Sequence, residues 1–186
     1  MQFSVGRPDL VRAINQRWLL KFWKRSRSQQ KVPSWQAVEA EDLSRVSANL
    51  CFLHVEAAEG APRLRIFAHG PTIGHVYGSA DCRGKYLDEV LPPTACHNAL
   101  DPYYQAVESG HPVYLVHDVI DSKDRVVHFE RLLLPFTTGG EVVDRILASF
   151  EFISPEGAFE SRELMMTLRT QPMLRLSASI TLGATA

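Results

Sequence analysis

Three stretches of mostly apolar residues in the C-terminal half of the chain predict three consecutive antiparallel strands. They cover residues 112–120, 126–136 and 142–153, and short turns rich in Asp, Ser, Thr and Gly separate them. The middle stretch contains three leucines in a row, Leu132 to Leu134, where a strand with one wet face would alternate apolar and polar residues. A continuous apolar run is typical of a strand that is buried on both faces, so the sheet needs a cover on each side.

A pair of strands and then a helical region precede these three strands. Residues 49–55 and 63–69 are joined by a turn that contains Gly and Pro, and the second of them alternates, which predicts a hairpin. Residues 71–91 are repeatedly broken by glycine, which predicts single-turn helices and loops. Residues 94–109 have apolar positions on one side and precede Gly110, which predicts a longer helix that ends at this glycine.

The N-terminal segment predicts an amphipathic helix of about four turns that begins near Asp9, a residue able to cap free backbone N–H groups. Its apolar residues recur at spacings of three and four, so they form one stripe. We expect this stripe to cover the outer face of the sheet or to pack on the same helix of a second subunit, because an exposed stripe promotes unwanted association. The candidate interface residues are Ile14, Trp18, Phe22 and Trp23.

The remaining segments predict less regular structure. Residues 26–33 are polar and basic and predict a linker, and a second, shorter helix is expected from Ser34 through about Arg45. Near the C-terminus, a helix is expected over residues 159–169, and residues 177–186 have the composition of a frayed tail. An antiparallel sheet with helices segregated along the chain places the protein in the α+β class.

The order of these elements, two strands, several short helices and then three strands, resembles that of a PAS domain. The matching residues occur in the correct order along the chain: Trp18, Trp23, Pro33, Ser34, Tyr104, Val107, Gly110, Pro112, Val113, Tyr114 and the run from Phe129 to Pro135. The chain therefore resembles the PAS superfamily over residues 49–153, and more closely a group of bacterial, largely proteobacterial, stand-alone PAS proteins.

The resemblance implies a five-stranded antiparallel sheet with the strand order 2-1-5-4-3 and short helices over one face. The N-terminal helix would lie on the other face or at a dimer interface. The chain would divide into an N-terminal helical extension and linker at residues 1–48, a PAS domain at residues 49–153 and a partly disordered C-terminal extension at residues 154–186. The resemblance implies a sensory or binding module, and it does not imply one ligand.

Composition indicates where such a module acts. With 186 residues and 45% hydrophobic content, the chain can bury one core of ordinary size. It has no apolar run of about 18 residues and no secretory signal, so we expect a cytoplasmic protein. Its three cysteines form no CxxC pair, which favours reduced thiols over a disulfide framework or a zinc site.

The net charge of −1 hides an asymmetry along the chain. Residues 1–31 contain eight Lys or Arg and one acid, a net charge of +7, whereas the remainder has a net charge of −8. The basic end suits an anionic membrane surface, where aromatic rings lie among the headgroups, or a sensor kinase or other signalling protein. Nucleic acid is not favoured, because no recognition motif is present and the body of the chain is acidic.

The sequence favours neither flavin nor haem, and it leaves the identity of any cofactor open. Some PAS domains, the LOV photoreceptors, bind flavin beside a Cys-Arg pair, which Cys82 and Arg83 resemble. Here, however, Cys82 precedes Gly84 instead of following a glycine, and the last strand lacks the Gln and Asn partners of a flavin ring. Some PAS sensors ligate haem iron with a histidine on the long helix, where His97 lies, but a lone histidine is a weak signal.

Aromatic residues and one arginine are the candidates for a small-molecule site. A tyrosine offers apolar area and one hydroxyl, which suits a small ligand, although ordinary core packing explains the same residues. Glu130 and Arg131 are adjacent on a strand, so only one of them faces the cavity. The long stem of Arg131 favours this residue, which would anchor an anionic molecule or form a structural ion pair. The candidate ligand-binding residues are Tyr77, His97, Tyr104, Tyr114 and Arg131.

The sequence favours a sensory module without catalysis. No Ser-His-Asp order, nucleophile elbow, P-loop or paired carboxylates indicates an enzyme. No kinase, cyclase or DNA-binding segment is recognised, so we expect a protein that binds a small molecule, forms a homodimer and contacts a signalling partner. The alternative is a ligand-independent dimerisation or docking module that reaches a membrane or a sensor kinase through its basic helix.

Overall fold

The structure is a computed structural model that describes residues 2–79, 81–91, 93–167 and 170–181, without the side chains of residues 93–98. Its strands are β1 (Ser4–Gly6), β2 (Leu50–Glu56), β3 (Arg63–His69), β4 (Val113–Ile120), β5 (Val126–Phe136), β6 (Arg145–Ile153) and β7 (Met173–Ile180). Its α-helices are α1 (Ile14–Arg27), α2 (Gln36–Ala40), α3 (Pro71–Val76), α4 (Leu87–Val90) and α5 (Pro93–Ser109). Short 3-10 helices occupy Pro8–Leu10 and Ser47–Asn49.

The strands within these ranges form one mixed sheet in the order β1-β7-β4-β5-β6-β2-β3. All neighbours are antiparallel except β1 and β7, which are parallel. The five strands predicted from the sequence are β2 to β6, and they occupy adjacent positions in this sheet. The α+β class is confirmed. The predicted number of five strands is wrong, because β7 pairs with β4 and β1 pairs with β7.

The C-terminal strand β7 is the largest departure from the expected structure. Residues 177–180, expected in a frayed tail, belong to this strand, while residues 182–186 lie outside the described residues. β7 pairs along β4 from Val113 to Asp118, so the backbone groups of β4 that would otherwise form an open edge are paired. The expected helix over residues 159–169 is not found: turns occupy residues 162–166, and residues 168 and 169 lie outside the description.

Two buried clusters lie on opposite faces of the sheet. The α5-face core lies under α3, α4 and α5 and includes Cys51, Leu53, Ile66, Tyr77, Cys82, Tyr103, Leu115, Phe129, Leu133, Ala148 and Phe150. The α1-face core lies under α1 and includes Leu19, Phe22, Trp23, Trp35, Leu50, Tyr114, Leu132, Leu134, Phe136, Leu147 and Ile180. The three consecutive leucines of β5 divide between these cores, so the predicted burial of this strand on both faces is confirmed.

Helix α1 covers the outer face of the sheet, as the first of the two sequence-based alternatives expected. Its apolar stripe packs into the α1-face core, and the indole Nε1 of Trp23 donates a hydrogen bond to the carbonyl of Pro135 at 2.7 Å. The helix begins at Ile14, later than predicted from Asp9, because Pro8–Leu10 forms a separate 3-10 helix after β1. Its basic residues therefore lie on a helix whose apolar side is already occupied.

The helices between the strands largely follow the sequence pattern. The short helices α3 and α4 interrupt the region where glycine predicted them, and α5 ends at Ser109. Gly110 follows with a φ of +66°, and its N–H donates to the carbonyl of Ala106 at 3.0 Å, which is a helix ending that favours glycine. Helix α2 is shorter than predicted, since a turn in which Ser44 N–H donates to the Asp42 carboxylate follows it. Among the helices of the described residues, none combines the length and the apolar character that crossing a bilayer requires.

Candidate functional site

The central strand β5 presents Arg131 and Glu130 to opposite faces of the sheet. Arg131 lies opposite Leu115 in the strand pairing and points with it toward α5, whereas Glu130 points toward α1. The structure therefore agrees with the sequence-based preference for Arg131 as the residue on the helix-covered side. Arg131 is only 4% exposed, which makes it the candidate functional centre of this face.

The guanidinium of Arg131 lies among neutral groups. One of its Nη atoms donates to the carbonyl of Ala99 on α5 at 3.3 Å, and its Nε has no hydrogen-bond partner. Its Cζ lies 5.9 Å from the ring centroid of Tyr103 and 5.4 Å from that of Phe129. Such contacts contribute about 0.5–2 kcal/mol, whereas burial of an unpaired charge costs several kcal/mol.

The expected structural ion pair of Arg131 is not found in the described part of the chain. No Asp or Glu carboxylate there pairs with its guanidinium, although Asp118 lies on the neighbouring strand β4 and Glu130 precedes Arg131 on β5. Asp118 pairs instead with Arg175 at 2.6 Å on β7. Arg131 therefore keeps a buried positive charge with one unsatisfied donor.

His117 on β4 belongs to the same cluster. It lies opposite Phe129 in the strand pairing and is 8% exposed, and its Nδ1 has no hydrogen-bond partner. Burial and then the nearby charge of Arg131 lower the pKa of His117 to about 3, while Asp118 acts in the opposite direction. The imidazole is therefore neutral at pH 7, and it can exchange a hydrogen bond with a ligand without adding charge.

This titration predicts a pH dependence of stability. The pKa of His117 is about 3 in the folded chain, below the ordinary value of 6.5 that applies to the unfolded chain. As the pH falls below 6.5, the unfolded chain therefore binds a proton that the folded chain does not, and the folded state loses stability. Between pH 7 and pH 5 we expect this effect to lower the free energy of unfolding by about 1–2 kcal/mol. In urea titrations at pH 7 and pH 5, we expect the free energy of unfolding to fall by about 1–2 kcal/mol less for His117→Leu than for the wild type. Equal losses in both proteins would contradict the prediction.

The surrounding side chains are apolar or neutral. Burial raises the pKa of Tyr103 to about 12, and burial also raises the pKa values of Tyr77 and Cys51, so these groups keep their protons at pH 7. Cys82 is buried in the same core, and its Sγ lies 4.0 Å from the carbonyl oxygen of Ser79. Together these side chains place Arg131 in a low-dielectric environment, where an electrostatic contact with a ligand is strong.

The structure divides the ligand-binding residues predicted from sequence between the two faces. Tyr77 belongs to the α5-face core with Arg131, and Tyr104 is partly buried against it. Tyr114 lies on the opposite face, where its hydroxyl donates to the Glu130 carboxylate at 2.8 Å. The side chain of His97 lies outside the described residues. His117 was missed, although its spacing of two from Leu115 places it on the same face.

The side of Glu130 that faces α1 holds a separate polar network. Gln16 of α1 is fully buried, and its Nε2 donates to the backbone carbonyls of Glu130 at 3.3 Å and Ser149 at 3.1 Å. The Tyr114 hydroxyl, which donates to the Glu130 carboxylate, accepts a hydrogen bond from the N–H of Arg12 at 3.4 Å. These contacts connect the start of α1 to the strand that carries Arg131.

The residues predicted for a dimer interface occupy different environments. Phe22 and Trp23 are buried against the sheet of their own chain, while Ile14 is 70% exposed. Trp18 is partly buried, stacks on Phe22 with ring centroids 6.2 Å apart, and lies under the guanidinium of Arg45 at 5.3 Å. The surface that α1 leaves for a partner is therefore mostly its polar side.

The outer side of α1 is basic. Arg17, Lys21 and Lys24 are exposed and lie at spacings of four and three, which places them on one face. No carboxylate of the described chain pairs with them, whereas Arg25 pairs with Glu41 at 2.8 Å. The basic face is thus available for an anionic surface.

A cavity opens beside α3, apart from the Arg131 cluster, and sequence reasoning did not find it. It has a volume of about 500 Å³, and its lining includes Asn49, His75, Glu151, Phe152 and Phe159. Glu151 accepts hydrogen bonds from Asn49 and from the amide of Asn15, and burial raises its pKa. In the described part of the molecule, no group of three or more His, Cys, Asp or Glu residues could hold a metal ion.

Comparisons with known proteins concern the fold. A family profile described as a PAS domain matches residues 11–150. A solved structure of a LOV protein from Rhodobacter sphaeroides is similar with a TM-score of 0.45 and 15% identity, over 61% of this chain and 63% of that chain. The chain therefore spans less than two thirds of the length of that structure. None of the curated proteins matches the sequence.

The similarity to a LOV protein corrects the expectation that flavin is unlikely, whereas the same expectation for haem stays a prediction. The position of Cys82 argued against similarity to the LOV photoreceptors, a class that binds flavin. A LOV protein is nevertheless among the matched structures. Flavin is therefore left open as a cofactor. The unpartnered Nε of Arg131 and Nδ1 of His117 are compatible with a group that carries hydrogen-bonding atoms on the α5 face.

Proposed function

The chain belongs to the PAS domain family, and on that premise we propose that it is a cytoplasmic sensory signalling module that binds a small molecule on the α5 face of its sheet. The observation that carries the proposal is the buried cluster on this face, where Arg131 Nε and His117 Nδ1 both lack a hydrogen-bond partner. Buried polar atoms are nearly always hydrogen-bonded, so two unpaired atoms of neighbouring side chains on one face support the proposal that another molecule binds there.

Strand β5 offers a route from this cluster to the opposite face. Arg131 contacts α5 on one side, and the adjacent Glu130 holds Tyr114 and Gln16 on the other side through the hydrogen bonds described above. A ligand that displaces Arg131 moves the same piece of backbone to which α1 is bound. The signal then passes through a change in non-covalent contacts, because a ligand shifts an equilibrium between two arrangements by binding one of them better.

The exposed basic face of α1 is the proposed contact for a partner. The basic residues Arg17, Lys21 and Lys24 are on the same helix as Gln16, so a movement of α1 changes the position of these side chains on the protein surface. The partner is a second copy of the chain, a sensor kinase or another signalling protein with an acidic surface. A peripheral contact with an anionic membrane rests on charge alone, because the aromatic stripe of α1 is packed on the sheet.

A second candidate function is supported by the same basic face. A ligand-independent dimerisation or docking module would use Arg17, Lys21 and Lys24 in the same way, and it would need no molecule on the α5 face. The two candidates therefore differ in the occupancy of the α5-face cluster and agree on the role of α1.

Native mass spectrometry of the protein as purified, with an absorption spectrum of the same sample, tests both candidates. The sensory module is expected to retain a bound mass, and a flavin would also give visible absorption. Mass spectra of the same sample after denaturation are the control, since a non-covalently bound molecule is then released. A dimer without any bound mass would contradict the sensory proposal and support the docking module.

A further inference from the structure

We propose that the molecule bound on the α5 face is a small organic carboxylate, and that Arg131 is the residue that neutralises its charge. This inference rests on the proposed sensory function and adds the chemical class of the ligand. Arg131 is a binding residue in this account, because its guanidinium would touch the carboxylate directly.

The buried acids of the described chain all have partners. Asp121 pairs with Arg125 at 2.7 Å, Asp118 pairs with Arg175 at 2.6 Å, and the carboxylate of Glu130 accepts the Tyr114 hydroxyl. Each buried acid of the described chain therefore has a cation or a strong donor beside it. Arg131 is surrounded by the Ala99 carbonyl, the Tyr103 side chain and aromatic rings, and it has neither an acid beside it nor a partner for its Nε.

The guanidinium of Arg131 has an unused donor whose position suits a carboxylate. Ala99 occupies one Nη of Arg131, and Nε is free. Carboxylates pair with arginine through two parallel hydrogen bonds, one of which can come from Nε. Such a pair adds a defined geometry to the attraction between opposite charges. A carboxylate at this edge would supply in one group both the missing negative charge and the missing acceptor. A neutral ligand would supply only the acceptor.

The side chains around Arg131 are mostly aromatic. Phe129 stacks on Phe150 and on Phe152, with ring centroids 5.9 Å and 4.8 Å apart, so the wall beside the guanidinium is aromatic. His117 adds one further polar atom, the unpartnered Nδ1. This combination suits a molecule with one carboxylate, a small apolar body and at most a few other polar groups. A phosphate or a polycarboxylate would carry more negative charge than one arginine neutralises.

Acetate and acetamide provide a matched pair of probes, because they have nearly the same shape and differ in charge. The measurement is the urea midpoint of unfolding of the full chain at equal millimolar concentrations of either compound. We expect a higher midpoint in acetate than in acetamide for the wild type, since a ligand that binds only the folded state stabilises it. Equal midpoints in the two compounds would overturn the proposal.

Substitution of Arg131 separates binding from general salt effects. Arg131→Met is expected to abolish the difference between the midpoints in acetate and in acetamide. Its midpoint in acetamide is expected to be at least as high as that of the wild type, because the substitution removes a buried charge that lacks a counterion. Arg131→Gln, which is also neutral, is expected to abolish the difference as well. Arg17→Met removes an exposed arginine and is expected to keep it. A lower acetamide midpoint for Arg131→Met would assign Arg131 a structural role and overturn the proposal.

The native mass spectrum distinguishes failure of this inference from failure of the sensory function. A retained neutral molecule would overturn the carboxylate assignment and leave the sensory module supported. A retained carboxylic acid that is lost in Arg131→Met would support both. Absence of any retained molecule, together with equal midpoints in acetate and acetamide, would contradict both.

Discussion

Replacing Trp23 with Ala is expected to lower the free energy of unfolding by about 3–5 kcal/mol, the range for a large aromatic residue removed from a core. Trp23 is fully buried between α1 and the sheet, and its indole N–H donates to the Pro135 carbonyl at 2.7 Å. The substitution therefore leaves a cavity and also an unpaired carbonyl in the α1-face core. Urea denaturation followed by circular dichroism measures the change.

Ile14→Ala on the same helix is the control for this experiment. Ile14 is exposed, so its truncation is expected to change the free energy of unfolding by less than about 0.5 kcal/mol. A similarly small effect of Trp23→Ala would mean that α1 does not pack on its own sheet. The aromatic stripe would then be free for a second subunit, as the alternative expectation from the sequence holds.

Replacing Ile180 with Ala is expected to lower the free energy of unfolding by about 2–5 kcal/mol, the range for a buried aliphatic residue. Ile180 is at the end of β7, fully buried in the α1-face core, and its N–H donates to the Pro112 carbonyl at 2.7 Å. The substitution tests whether the C-terminal strand is part of the folded core. Denaturant unfolding at fixed protein concentration gives the value.

Leu174→Ala is the matched control, because Leu174 belongs to the same strand but is 40% exposed. Its truncation removes less buried area, and we expect a loss of less than about 1 kcal/mol. Equal and small effects of the two substitutions would show that β7 is not docked on β4 in solution. The frayed tail expected from the sequence would then describe the C-terminus correctly.

Much of the fold was accessible from local pattern. The strands β2 to β6 were located within a few residues, because their apolar runs are bounded by turn residues. The burial of Leu132 to Leu134 on both faces and the end of α5 at Gly110 follow from the same local rules. β7 was missed because Arg175, Ser177 and Ser179 interrupt its large apolar residues. Its conformation depends on the edge of β4, which is distant in the sequence.

The candidate site was only partly accessible in the same way. Sequence reasoning favoured Arg131 over Glu130 for the helix-covered side, and it placed Tyr77 there, but it also assigned Tyr114 to the cavity. In the structure Leu115 lies opposite Arg131, so Tyr114 must point to the other face. Assigning these residues requires the register between β4 and β5, and a register shift by one residue would have exchanged the faces.

The sequence by itself determined where the main strands and helices lie, that β5 is covered on both faces, and that the basic charge is concentrated at the N-terminal end. Each of these properties depends on residues that are close together in the chain. Only the tertiary structure decided that β1 and β7 extend the sheet, that α1 packs on its own sheet, and that no acid of the described chain reaches Arg131. These properties depend on strand register and on burial between distant segments, which local periodicity does not specify.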